Sequence, residues 1–165
     1  MPITVWPVPA PRRGDTMSTA MGVRLVHNLT HPCDLVVDLA RGPHLARAII
    51  NAHRRSHLQD ARVVGWGAEA AALIVTGWPA DETGSPVGFF GRCRDRLLPG
   101  GCVAVLLPHR DLVAPVDVVI AAKQAGLAYL QHVVGSDRTP RPGSAAQLDI
   151  HTDVLIFTRS TGEGR

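Results

Sequence analysis

Short aliphatic runs alternate with amphipathic stretches along most of the chain. Runs of strand length, most of them bounded by Gly or Pro, predict six strands, at 33–39, 61–64, 71–76, 102–107, 127–134 and 153–158. Between several of them apolar residues recur at three- and four-residue steps, which predicts helices over 45–58, 88–98 and 113–125. Strands that alternate with helices of this length predict βαβ units, and hence an α/β fold with a largely parallel sheet.

The two ends of this pattern differ from its middle. Residues 1–20 hold four prolines, and because each fixes φ and removes a donor, we expect an extended arm there and a short helix over 17–28. The polar stretch 135–147 shows no helical pattern, so the last two strands are expected to form an antiparallel pair at one edge of the sheet. We therefore predict an arm with a short helix over 1–28, one domain over 29–160 and a tail over 161–165.

Composition narrows the class of protein. Hydrophobic residues make up 45% of the 165 residues and aromatic residues only 4%, so the core must consist of Val, Leu, Ile and Ala, as buried parallel strands prefer. The net charge of +3 permits contact with nucleic acid but falls short of a clustered basic surface. Three widely spaced cysteines exclude a disulfide framework. The apolar runs are too short to span a membrane, and no signal peptide is visible, so we expect a cytoplasmic protein.

Three passages are specific enough for comparison with known families. Asp34–Gly42 is an apolar strand with an acid and a glycine turn, Ala72–Pro79 is a strand that ends in Thr-Gly-Trp-Pro, and Cys93–Val105 contains Leu-Leu-Pro-Gly-Gly. With the order of elements, they resemble class I S-adenosylmethionine-dependent methyltransferases. The second passage is similar to the strand before the Ser/Asn/Asp-Pro-Pro-Tyr motif of amino-directed DNA methyltransferases. Residues 4–7 and 151–157 resemble actinobacterial DNA-methylase-like proteins.

This resemblance implies a Rossmann-like methyltransferase fold with a mostly parallel sheet and an antiparallel C-terminal strand pair. The stretch from Gly42 to Arg62 has room for one helix where the family has a helix, a strand and another helix. We therefore expect a fold reduced by one strand–helix unit. If the family's second strand is the missing one, the exposed edge would favour a homodimer.

The resemblance also implies S-adenosylmethionine as the cofactor. Asp38 and Gly42 would hold its methionine end, because a strand-to-helix turn with little side-chain bulk lets a ligand approach the backbone. Trp66 would lie near the adenine and Glu69 near the ribose. His44 stands where the family has its second glycine. The alternative reading is structural: a tight turn anchored by Asp38, and an indole that covers the edge of the sheet.

The methyl acceptor is implied to face Thr76, Gly77, Trp78 and Pro79. In the family, a polar side chain there binds the target amino group and an aromatic ring stacks on the flipped base. Here Gly77 replaces the polar residue and Ala80 the aromatic one. Two functions follow: a methyltransferase-like protein acting on an amino group of DNA or another nucleic acid, or a catalytically inactive domain that serves as a protein-interaction or regulatory module. No metal site is expected, since His53 and His57 on the predicted helix lack a third ligand.

Overall fold

The structure of the chain, a computed structural model, describes residues 2–58, 66–80, 84–137 and 149–162, and of residues 57 and 58 the backbone alone. The predicted strand at 61–64 and most of the polar stretch 135–147 lie outside these ranges. The described helices are α1 Thr19–Leu29, α2 His44–Asn51, α3 Pro86–Arg96 and α4 Ala114–Gln124. The described strands are β1 Ile3–Pro7, β2 Leu35–Leu39, β3 Arg55–Leu58, β4 Ala71–Gly77, β5 Leu97–Pro108, β6 Ala128–Ser136 and β7 Ile150–Thr158.

These strands form one sheet in the order β1-β6-β7-β5-β4-β2-β3. All neighbouring pairs are parallel except those that β7 makes with β5 and β6. The α/β class, the mostly parallel sheet and the antiparallel pair of the last two strands are therefore confirmed. The pair does not lie at the edge of the sheet, however, because β1 pairs with β6 and forms the edge itself.

Alternation of side chains along the strands builds two apolar layers, one on each face of the sheet. In β4, Leu73 and Val75 point to the layer that α1 and α2 cover, and Ile74 points to the layer under α3 and α4. Both layers are mainly aliphatic, as the composition predicts, and the phenylalanines lie in the second one. The result is a three-layer arrangement whose strand ends are free to carry a site.

The predicted helix over 45–58 is wrong in its second half. The helix ends at Asn51, and His53 has a φ of 57°, a left-handed conformation that ends the helical path. Arg55–Leu58 is instead a parallel strand beside β2, and the Arg55 amide donates to the Asp34 carbonyl over 2.8 Å. Backbone pairing with β2 outweighs the local helical spacing. Since β3 covers β2, the edge on which the expected homodimer depended is not exposed.

The expected reduction by one strand–helix unit falls in the connection between β3 and β4, part of which lies outside the described residues. In the part of this connection that the structure describes, residues 66–70, there is neither a helix nor a strand. β2 pairs with β3 on one side and with β4 on the other, so no described strand lies between these three. His53 and His57 do not share a helix, which removes the basis for the spacing noted in the sequence.

The N-terminal residues belong to the same sheet. The extended backbone that the prolines predict is β1, which the strand pattern did not reveal, and Trp6, Val8 and Met17 are buried in the layer with α1 and α2. α1 begins at an N-cap, since the Met21 amide donates to the Ser18 hydroxyl over 3.3 Å. Three further helix ends also follow sequence signals: Pro86 opens α3 after Ser85, Pro115 lies in the first turn of α4, and Gly126, at a φ of 90°, follows the end of α4.

Candidate functional site

A pocket of about 290 Å³ opens where β2, β4 and β5 end. Residues Leu39 of β2 and Thr76 of β4 are register partners, and so are Gly77 of β4 and Leu106 of β5, so these strands finish side by side. The lining residues fall into four groups by chain position: Pro11, Gly14, Asp15 and Thr16; Leu39 and Arg41; Thr76–Ala80; and Leu106–Pro108 with His151 and Thr152. Parallel sheets place ligands at this edge of the strands.

The four residues predicted to face the acceptor, Thr76–Pro79, all line this pocket. Thr76 is 1% exposed and its hydroxyl donates to the Gly77 carbonyl over 2.8 Å. The Trp78 ring stacks on Phe90 at a centroid distance of 5.6 Å and an interplanar angle of 14°. The Thr76 hydroxyl and one face of the Trp78 ring are thus engaged in contacts within the protein.

The turn after β2 is held by the chain's own groups. The Asp38 carboxylate accepts from the Ala40 amide over 2.9 Å, and the Thr16 hydroxyl accepts from the Arg41 amide over 2.8 Å. Burial raises the pKa of Asp38, and the Ala40 hydrogen bond opposes that shift. Asp38 does not line the pocket itself, so its visible role is to shape the turn.

Gly42 and His44 meet a residue that the sequence analysis did not single out. Gly42 has a φ of 89°, and a Cβ at this position would lie 2.5 Å from Oδ1 of Asp15. His44 Nε2 donates to Asp15 Oδ2 over 3.0 Å, while the Thr19 hydroxyl donates to His44 Nδ1 over 2.7 Å. The histidine in the second glycine position therefore orients a carboxylate that lines the pocket, and Gly42 leaves the room for it.

Asp15 and Arg41 give the pocket groups of opposite charge. Asp15 comes from the segment before α1 and Arg41 from the turn after β2, and both line the same cavity. No sequence pattern links them, because they lie 26 positions apart in segments that meet only in the fold. A pocket with a carboxylate and a guanidinium suits a zwitterionic group, such as the free end of an amino acid.

His151 lines the pocket without a free ring nitrogen. Its Nε2 donates to the Val8 carbonyl over 2.9 Å, and the Thr152 hydroxyl donates to its Nδ1 over 2.8 Å. Nε2 therefore ties the segment after β1 to β7. With both ring nitrogens bonded, His151 positions the wall of the pocket rather than offering a base.

The structure does not bring Trp66 and Glu69 to this pocket. Both precede β4 and lie at the amino ends of the strands, opposite the pocket. Trp66 is 6% exposed, with Phe89 at 5.5 Å against its ring, and Glu69 accepts from Arg55 over 2.6 Å. Within the described residues, no cluster of His, Cys, Asp or Glu could hold a metal ion, and no helix is long and apolar enough to cross a membrane.

Solved structures share this architecture at low sequence identity. A methyltransferase from Pyrococcus furiosus is 13% identical, with 93% of this chain and 88% of that one covered at a TM-score of 0.55. An S-adenosylmethionine-dependent O-methyltransferase from Thermotoga maritima is 12% identical, with 89% and 66% covered and a TM-score of 0.54. A chain in the complex between the Haloferax volcanii Trm112 methyltransferase activator and a methyltransferase is 12% identical, with 86% and 88% covered and a TM-score of 0.58.

No protein-family model and no curated protein matches the sequence. The likeness therefore concerns the fold, and the order of strands, the antiparallel β7 and the helices on both faces agree with it. The chain has the fold of the class I S-adenosylmethionine-dependent methyltransferases.

Proposed function

We propose that the chain binds S-adenosylmethionine in the pocket at the carboxyl ends of β2, β4 and β5 and transfers its methyl group to a small acceptor. The observation that carries the proposal is the presence of both Asp15 and Arg41 in the wall of a pocket that also contains Leu39 and Thr76–Ala80. The ammonium of the cofactor's methionine end would face Asp15 and its carboxylate Arg41. Arg41, from the turn that Asp38 shapes, and Thr76–Ala80 would thereby face one ligand.

The chain's part in the reaction is to position two reactants. Bound cofactor supplies an electrophilic sulfonium methyl group, and transfer needs an acceptor lone pair in line with it. Asp38 and Thr16 fix the turn, His44 fixes Asp15, and Thr76–Ala80 form the opposite wall. Catalysis by such a site rests on proximity and orientation.

A nucleic-acid amino group is the acceptor that residues 76–79 imply by resemblance, and it is the first acceptor to compare with small molecules. Two contacts favour a small molecule. One face of Trp78 packs on Phe90, and the Thr76 hydroxyl is bonded to Gly77, so neither is set to hold a flipped base. The pocket's volume of about 290 Å³ also lies just below the roughly 300–1,000 Å³ of ligand sites.

The second candidate is a catalytically inactive domain that binds a partner protein. The observation in its favour is a row of exposed apolar side chains on and before α4: Leu112, Val113, Val116 and Ile120, of which Leu112 is 84% exposed. Contiguous apolar surface of this kind is typical of interaction sites. A neighbour in the fold comparison comes from a complex with an activator protein.

Calorimetric titration with S-adenosylmethionine and S-adenosylhomocysteine tests the first proposal. We expect micromolar dissociation constants for the wild type. Asp15→Asn removes the charge opposite the ammonium and should weaken binding roughly tenfold or more, since a hydrogen bond to a charged group is worth about 1.5–3 kcal/mol. Asp117→Asn, an exposed site on α4, is the matched control and should bind like the wild type.

A steric pair of variants locates the ligand. Gly77→Val puts a side chain at the pocket wall and should abolish binding, whereas Gly91→Val on α3, where an added Cβ has no neighbour within 4 Å, should leave it intact. Circular dichroism checks that both variants are folded. Absence of binding by the folded wild type at millimolar ligand would overturn the enzyme proposal and leave the interaction module.

A further inference from the structure

A smaller cavity, of about 140 Å³, opens beside the first pocket, where β4 ends and α3 begins. The two share the segment Trp78–Ala80 as part of their walls. Beyond that segment, the wall of the smaller cavity includes Gly84 and Ser85, and Pro86 and Phe89 of α3. We call it the side cavity. The proposed cofactor site gives it no role.

The first pocket leaves a methyl acceptor little room. Its volume of about 290 Å³ is small for a site that holds a drug-sized ligand, and S-adenosylmethionine joins a nucleoside to an amino acid. Once the cofactor fills this pocket, an acceptor needs an adjoining space of its own. The side cavity is such a space, because Trp78–Ala80 border both.

Aromatic rings that pack on one another form the inner wall of the side cavity. The Trp78 ring meets Phe89 edge-on, at a centroid distance of 6.2 Å and an interplanar angle of 68°. The Phe89 ring is held in turn by Phe90 at 5.2 Å and by Trp66 at 5.5 Å. Contacts on several sides fix both rings, so the wall exists before any ligand binds. Such a wall favours a ligand ring that meets it offset or edge-on.

The rest of the described wall is mainly apolar. Pro79, Ala80 and Pro86 all contribute to it. Among the described residues that line the cavity, Arg92 has the one charged side chain, and its guanidinium carbon lies 5.4 Å from the centre of the Trp66 ring. These residues include no carboxylate that could pair with a cationic ligand. The wall therefore suits an aromatic ligand better than an ammonium group.

We propose that the side cavity binds a single aromatic ring and that this ring belongs to the methyl acceptor, a role that rests on the proposed function. The volume sets the size of the ligand: a cavity of about 150 Å³ with apolar walls takes one benzene ring, and the side cavity is nearly as large. In the transfer, a lone pair of the acceptor atom forms the bond to the methyl carbon. The carbon–sulfur electron pair stays on sulfur, and the acceptor's proton passes to water.

Nuclear magnetic resonance of the full chain tests the ring site in the absence of cofactor. The probes are 4-methylphenol, its saturated counterpart 4-methylcyclohexanol, and 2-naphthol, which has two fused rings. We expect 4-methylphenol to shift the Trp78 indole and Gly84 amide signals saturably in the millimolar range, with Trp6, in the opposite apolar layer, unaffected. The other two probes should bind about threefold or more weakly, one for lack of a π system and one for its size. Tighter binding of 2-naphthol would indicate unspecific apolar contact and would overturn the proposal.

Two phenylalanine variants separate contact with the ligand from general loosening of the core. Phe89→Leu removes a ring from the wall of the side cavity and should weaken 4-methylphenol binding roughly fivefold. Phe157→Leu removes another buried ring from the same apolar layer, at a position that lines neither cavity, and should leave the affinity unchanged. Thermal unfolding shows whether both variants are folded. An unchanged affinity in folded Phe89→Leu would overturn the proposal.

A second titration, at saturating S-adenosylhomocysteine, tests whether the ring lies beside the cofactor. The affinity for 4-methylphenol should fall by less than about twofold, because the two ligands occupy adjoining cavities. Competition would place the ring in the cofactor pocket and overturn the proposal. Ring binding by a chain that binds no cofactor would overturn the acceptor role together with the proposed function. Cofactor binding without ring binding would overturn this inference alone.

Discussion

Gly42 lies in the turn that resembles the methyltransferase glycine turn, next to the contact between Asp15 and His44, which stands in the second glycine position. A left-handed φ of 89° and a space that Asp15 fills both require glycine there. Gly14 has a similar φ of 91° but no atom within 4 Å of a built Cβ. A side chain at Gly14 would therefore meet backbone strain alone, whereas a side chain at Gly42 would meet both backbone strain and crowding by Asp15.

We expect Gly42→Ala to lower the free energy of unfolding more than Gly14→Ala does. Each change should cost about 1–2 kcal/mol for a left-handed backbone with a Cβ. Gly42→Ala should cost about 1 kcal/mol more, because the methyl group displaces Asp15 from His44. Urea denaturation measures both. In an Asp15→Ala background the excess should vanish; an excess that remains would show that Asp15 is not what crowds the turn.

Asp38 makes the stability of the folded chain depend on pH. Burial raises its pKa above the ordinary value of 3.8, so the folded state binds this proton more tightly than the unfolded chain does. The stability from this group is full below pH 3.8 and is lost as the pH rises through the raised pKa. Asp38→Asn keeps an acceptor for the Ala40 amide and does not ionise.

We therefore expect the Asp38→Asn variant to gain stability relative to the wild type as the pH rises from about 4 to 7. Each unit of upward shift corresponds to about 1.4 kcal/mol. Urea denaturation of both proteins at several pH values gives the difference. A difference that is constant with pH, or that falls, would contradict a raised pKa.

Sequence reasoning located only half of the candidate site at the level of residues. Thr76–Pro79 were identified because a strand that ends in a Gly-Trp-Pro turn is a local signal, and they do line the pocket. Asp15 and Arg41 were missed because their proximity is created by the fold. The sequence shows that His44 replaces a glycine in the turn, but its hydrogen-bond partner, Asp15, lies 29 positions away along the chain. Trp66 and Glu69 were placed by analogy with a strand at 61–64, and β3 takes the position beside β2 instead.

At the scale of elements, a buried carboxylate joins three strands. Asp153 of β7 is 4% exposed, and its two oxygens accept from His109 Nδ1, just after β5, over 2.7 Å and from His132 Nε2 of β6 over 2.8 Å. The cluster ties β6 and the turn after β5 to β7, near the pocket wall formed by Pro108 and His151. No local sequence pattern predicts this cluster, since Asp153, His109 and His132 come from separate elements.

We expect Asp153→Asn to lower the free energy of unfolding by about 1–3 kcal/mol, because an amide nitrogen replaces one of the two accepting oxygens. The matched control is Asp137→Asn. Its carboxylate is half-exposed and 3.7 Å from His151, so the change should stay within about 0.5 kcal/mol. Urea denaturation compares the two variants. Equal losses would show that the His–Asp–His cluster does not stabilise the antiparallel strands.

The elements that sequence patterns predicted well are the long apolar strands and the capped helices. β4, β5, β7, α3 and α4 combine a strong period with Gly, Ser or Pro at their ends. The sequence pattern did not predict β1 and β3, which are short strands of five and four residues. β3 has only one apolar residue, so backbone pairing rather than hydrophobic periodicity makes it a strand. Tertiary context of this kind overrides local preference.

At the scale of the whole molecule, the fold places the candidate site at one end of the strands. The pocket with Asp15 and Arg41 opens at the carboxyl ends of β2, β4 and β5. The two faces of the sheet are covered by apolar layers, so the ends of the strands are where polar groups can gather around a ligand. We therefore assign the cofactor to this end of the strands.

The most direct test of the central claim is a crystal structure of the chain with S-adenosylhomocysteine. We expect the ligand between the turn after β2 and residues Thr76–Ala80, with its ammonium on Asp15. An empty pocket at saturating ligand, or S-adenosylhomocysteine bound elsewhere on the chain, would contradict the assignment of this pocket to the cofactor.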